Sequence, residues 1–168
     1  MLKKIMIKIK TQRAPATFSL FDSLRVLHKD LPDASEPPEI SEMTVEGKLK
    51  KTLGNVEIKY DEPEISEMGA TTAIFAFSAD TPGLVTMMRS GMVNTALVFE
   101  QGKRHVCAYD TPFMPFEVGV HTFDIKNDLL SSGTLFIDYA VQIRGADAER
   151  CKLSISIKEV SKLKLPKE

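Results

Sequence analysis

TLFIDYAVQIR, residues 134–144, is the stretch that decides the fold. Leu135, Ile137, Tyr139, Val141 and Ile143 fall on alternate positions, with Asp138, Gln142 and Arg144 between them. A period of two sends one set to each face of a sheet, and the run is long enough to form the wall of a barrel. The chain ends repeat the pattern. Ile5, Ile7 and Ile9 alternate with Lys4, Met6, Lys8 and Lys10, and Leu153, Ile155 and Ile157 alternate with Lys152, Ser154, Ser156 and Lys158. Further strand-like runs cover 39–50, 56–60, 70–79, 84–89, 94–100, 103–110 and 116–125, about ten strands in all. Gly, Pro, Ser and Asn fall at nearly every join, as in Leu53-Gly54-Asn55, Thr81-Pro82-Gly83, Gln101-Gly102 and Ser131-Ser132-Gly133. Loops this short join antiparallel neighbours, and evenly spaced strands with few long crossovers favour an up-and-down barrel over a sandwich.

One segment departs from this pattern. Phe18, Phe21, Leu24 and Leu27 recur every third residue, Leu20 widens the stripe, and Ser19 supplies a cap, so a short amphipathic helix is expected over 17–29. The proline-rich and acidic LPDASEPP (31–38) follows and cannot join a ladder. The expected architecture is therefore one domain over 1–168 with a helix and loop inserted at about 17–38. That helix either closes a mouth of the barrel or packs on its outside. PEISEM occurs at 38–43 and again at 63–68, but the residues after each copy do not align, so the repeat is local and marks wet strand ends.

Composition narrows the function. At about 150 residues per domain, 168 residues make one domain. Its net charge of −1 supplies no field for nucleic acid or an anionic membrane, and a chain without Trp lacks an obvious platform for stacking bases. Lys8 and Lys10 interrupt MLKKIMIKIK where a signal peptide needs an unbroken apolar run. Cys107 and Cys151 are far apart, which suits two reduced thiols in a cytoplasmic protein. His28, His105 and His121 have no metal-ligand spacing, and neither a phosphate-cradling glycine loop nor a nucleophile elbow is present. No cofactor, metal or catalytic residue is expected.

The polar residues that remain gather in residues 88–112, MRSGMVNTALVFEQGKRHVCAYDTP. A two-residue turn at Gln101-Gly102 would pair Phe99 with Arg104, Val98 with His105 and Asn94 with Tyr109. His105 and Tyr109 would then share one face, and Arg104 would lie on the other beside Leu97 and Phe99. If that second face is the interior, Arg104 is placed to grip an anionic head; if its tip reaches water, it is a strand-end charge. Arg89, Arg104, His105 and Tyr109 are the candidate ligand contacts.

EPEISEMGATT (62–72), RSGMVNTALVFEQGKRH (89–105), YDTPF (109–113) and EVGVHT (117–122) resemble the small bacterial, calycin-like (lipocalin-fold) proteins of the YwiB type, a family of unknown function. The resemblance implies a calycin-type barrel in the bacterial cytoplasm and carries over no catalytic residue. Two functions stand open. A hollow barrel would bind a small apolar or anionic molecule; a barrel filled by Phe75, Phe77, Leu135, Ile137 and Tyr139 would be a structural or protein-interaction domain. An enzyme using His105 and Tyr109 ranks behind both. The partners expected are a small ligand and a second copy of the chain, with neither nucleic acid nor membrane.

Overall fold

In the computed structural model, which describes residues 2–16, 38–62, 71–91, 94–111, 114–143 and 148–160, every element is a β-strand. The strands are β1 (Leu2–Ala16), β2 (Glu39–Thr52), β3 (Asn55–Glu62), β4 (Thr71–Ser78), β5 (Thr81–Ser90), β6 (Asn94–Glu100), β7 (Arg104–Asp110), β8 (Pro115–Asp128), β9 (Thr134–Ile143) and β10 (Ala148–Glu159). Each pairs antiparallel with its neighbour in sequence, and β1 pairs with β10, so the sheet closes into a barrel without an open edge. The expected helix at 17–29 and the second PEISEM copy lie outside the described residues; the first copy begins β2. Among the described residues, no helix is long and apolar enough to cross a membrane.

The alternation seen in the sequence is the alternation of the barrel wall. Ile5, Ile7 and Ile9 point inward from β1, Val56, Ile58 and Tyr60 from β3, and Leu135, Ile137 and Tyr139 from β9, all buried. Fully burying an aliphatic side chain of this size contributes about 1.5–3 kcal/mol, so this inner layer is the main source of stability. The two ends of the barrel differ. At one end, tight connections join β2 to β3, β4 to β5, β6 to β7 and β8 to β9. The interior there is filled: Phe77, Val85 and Phe99 form one cross-strand row, packed among Ile125, Leu129, Leu135 and Ile137. The remaining connections, including the long one between β1 and β2, leave from the opposite rim.

The β6–β7 hairpin corrects the expected register. Three residues, Gln101, Gly102 and Lys103, form the loop, with Gly102 in the left-handed region at φ 75° and the Lys103 N–H donating to the Glu100 carbonyl at 3.0 Å. The extra loop residue pairs Asn94 with Asp110, Thr95 with Tyr109 and Ala96 with Ala108. A one-residue slip exchanges the faces of the whole strand. Arg104 therefore points outward and does not lie beside Leu97 and Phe99.

On the outer face, Arg104 joins a layer of large side chains laid over β8 and β9. A Cβ at Gly119 would meet the Arg104 guanidinium, so glycine at this position gives the arginine room to lie across the strand. A bulge between Thr122 and Asp124 puts Phe123 outside, where it meets His121 edge-on at 4.7 Å and carries the Arg150 guanidinium 4.5 Å above its ring. Arg150 in turn forks onto the nearly buried Asp138 carboxylate, with Nε and Nη2 donating at 3.1 and 2.9 Å.

Candidate ligand-binding cavity

Above the filled half, the interior opens into a cavity of about 320 Å3 toward the rim that carries the longer connections. Phe75 and Leu97 line its lower part, and Ile9, Met43, Met87, Val118, Val141 and Leu153 supply apolar wall. The barrel is thus filled at one end and hollow at the other. Of the large inward residues expected to fill it, Leu135 and Ile137 do so, whereas Phe75 and Tyr139 face the hollow part.

Most polar residues of the cavity stand in two cross-strand rows, with Thr11 and Glu149 outside them. Tyr60, Ala73, Arg89, Thr95 and Tyr109 follow one another across β3 to β7. Arg13, Cys151, Tyr139 and Thr122 do the same across β1, β10, β9 and β8. Arg89 Nε lies 2.9 Å from Glu62 Oε1. Both atoms are shut off from water, yet the N–H is not aimed at the oxygen, so the contact is a charge pair without a directed hydrogen bond. Next to Arg89 in its row, the hydroxyl of the buried Thr95 has no hydrogen-bond partner among the described residues, and the buried Thr122 hydroxyl beside Tyr139 has none among them either. Buried polar atoms without partners cost about 1–3 kcal/mol each, and such groups cluster where a ligand or water completes them.

Protonation states follow from burial. Desolvation pushes the Tyr60 hydroxyl far above the ordinary phenol value, with the Glu62 carboxylate acting in the same direction and Arg89 against it. Burial does the same to Tyr139, then its neighbour Cys151; the charges of Arg13 and Arg89 are both felt at this hydroxyl and pull the other way. Burial also raises the Cys151 thiol, more than the Arg13 charge lowers it. At neutral pH the cavity wall therefore presents two guanidinium groups, protonated phenols and a protonated thiol. The acids nearby are Glu62, already engaged with Arg89, and Glu149, which is exposed.

Of the four residues singled out in the sequence, Arg89 and Tyr109 line the cavity. His105 points inward but at the filled end, where its Nε2 lies 2.9 Å from Glu100 Oε1. Arg104 lies on the outer face. Arg13, Tyr60, Thr95 and Tyr139 complete the polar lining or its rows without having been singled out as contacts. For Arg13 the signal was present: the inward alternation of Ile5, Ile7 and Ile9 runs on through Thr11 to Arg13. Among the described residues, no three His, Cys, Asp or Glu side chains cluster as they would around a metal ion.

Comparison with known proteins agrees with the architecture. The crystal structure of the ywiB protein from Bacillus subtilis matches with a TM-score of 0.64 at 19% sequence identity, covering 92% of each chain, a likeness of fold. No curated protein matches the chain. The family described as Domain of unknown function (DUF1934) matches residues 28–155, most of the sequence, from β2 into β10. The chain belongs to the DUF1934 family.

Proposed function

We propose that the barrel is a calycin-type binding protein for a small molecule with an apolar body and an anionic head. The observation that carries this reading is the one-sided chemistry of the cavity wall. Its polar groups are mostly donors held in their protonated form, while of the two acids nearby the half-buried Glu62 is paired with Arg89 and Glu149 is exposed. Such a wall favours an acceptor-rich head, and the apolar floor favours a hydrocarbon body. Small-molecule sites span about 300–1,000 Å3, so a cavity of about 320 Å3 suits a short-chain or single-ring acid. Two free, buried thiols fit work in the reducing cytoplasm.

Titration calorimetry with octanoate, octanol and octylammonium tests the proposal. Octanoate is expected to bind most tightly and octylammonium least. Arg89→Met and Arg13→Met should each weaken octanoate binding by about 1–3 kcal/mol, the worth of a charge-assisted contact, with the circular dichroism spectrum unchanged. Octylammonium binding as well as octanoate, or none of the three binding, would overturn it.

A further inference from the structure

Arg89 lines the cavity, and the acid that meets it stands outside the lining. Arg89 is on β5 and Glu62 ends β3, so their contact crosses β4. Ala73 is the β4 residue in register between Tyr60 and Arg89, and its methyl group leaves room for the crossing. The Nε–Oε1 approach of 2.9 Å is close, yet neither atom gains a hydrogen bond from it, so charge alone holds the pair. The Glu62 charge also reaches the cavity wall. Burial raises the Tyr60 pKa most, the Glu62 carboxylate adds to that rise while Arg89 opposes it, and Tyr60 lines the cavity.

The charges around the cavity are therefore balanced. Arg13 and Arg89 bring two positive charges, and Glu62 and Glu149 bring two negative ones. Arg13 and Glu149 are exposed, so water and salt screen them, whereas the Glu62 side chain keeps only 22% of its surface. A balanced wall donates N–H and O–H bonds to an anionic head but has no surplus positive charge to hold a second negative one. We propose that Glu62 restricts the cavity to heads with a single negative charge. Carboxylates, sulfonates and sulfate esters enter; phosphate monoesters, with about two negative charges at pH 8, are refused. The inference rests on the proposed ligand and goes beyond it in assigning the selection of charge to one residue. An acid beside the less exposed of the two guanidinium groups weakens every anion that approaches, and it weakens a dianion twice over, because Coulomb energy scales with the ligand's charge.

Octyl sulfate and octyl phosphate separate charge from shape, since both place a tetrahedral head on the same chain and differ by about one charge at pH 8. Titration calorimetry on the full chain should show octyl sulfate binding about fivefold more tightly than octyl phosphate. Glu62→Gln keeps an oxygen beside Arg89 and removes the charge. It should tighten octyl sulfate by about fivefold, octyl phosphate by about 25-fold, and octanol not at all. A merely structural role for Glu62 would move all three alike. Octyl phosphate binding the unsubstituted chain as tightly as octyl sulfate overturns the inference, whether or not the variant folds. So does a Glu62→Gln protein in which the ratio of the two affinities is unchanged. If octanoate binds while either of these results is found, charge selection fails and the reading of the cavity stands; if none of these amphiphiles binds, both fail.

Discussion

Enlarging a side chain should have opposite signs in the two halves of this barrel. Val141 faces the cavity and Val85 lies in the filled half between Phe77 and Phe99. Val141→Phe adds about 50 Å2 of apolar surface, which the hollow can receive, worth about 1.3 kcal/mol at 25 cal/mol per Å2. Loss of rotamer freedom removes about 0.5 kcal/mol, leaving a net stabilisation of about 1 kcal/mol. Val85→Phe puts the same ring into a fully buried site between two phenylalanines, and overpacking of this kind costs about 1–3 kcal/mol. Urea denaturation of both variants measures the difference, about 2–4 kcal/mol in all, and equal m-values would show that the unfolded reference is shared. The same Val141→Phe protein should lose octanoate binding despite its greater stability. If Val141→Phe destabilises as much as Val85→Phe, the upper barrel is filled in solution and the reasoning about the cavity fails.

Two further outcomes follow from the outer face. Arg150→Met should cost about 2 kcal/mol in urea denaturation, since it strands the nearly buried Asp138 carboxylate; Arg150 is itself 42% exposed, which keeps the loss below that of a fully buried pair, and adding Asp138→Leu should recover part of it. In thermal melts, stability should fall as pH drops below about 6.5, because desolvation and the Arg104 charge hold the folded His121 pKa below its unfolded value, so the unfolded chain takes up a proton that the folded chain resists. Glu100, hydrogen-bonded by Lys103 and His105, and Glu159, hydrogen-bonded by Lys3, have lowered pKa values and should deepen the loss below about 4.5; Arg104→Gln should shrink the first step and leave the second.

Strand identity was legible in the sequence because a half-buried strand writes its two faces at alternate residues. The tight turns and the closed antiparallel order follow from the same text. What the text did not reveal was register at β6–β7. Gln101-Gly102 reads equally well as a two-residue loop or as part of a three-residue one, and the choice of the second exchanged the positions of Arg104 and His105. The cavity was equally hidden. Tyr139 and Ile137 have the same pattern in the sequence, yet one faces open space and the other packed hydrocarbon, because that depends on how far along the barrel each residue stands. Arg13 was overlooked for a different reason: a charged residue at the end of an apolar alternation reads as a wet strand terminus unless the phase is carried forward to it.

The two halves of the barrel place different demands on the chain. At the filled end, short connections and rows such as Phe77, Val85 and Phe99 hold ten strands in one register. That packing supports at the other end groups which would be costly in a core built for stability alone: the Thr95 and Thr122 hydroxyls without partners among the described residues, an Arg89–Glu62 contact without a directed hydrogen bond, and an open volume of about 320 Å3. All of these lie in or beside the two rows that meet the cavity. A core selected only for packing would replace such groups with methyls, as Val for Thr does at nearly constant volume. Their concentration on one stretch of the wall, beside two guanidinium groups and phenols held protonated, is the ground on which the proposed ligand is preferred to a packing defect, and the filled half is where the cost of such groups can be offset.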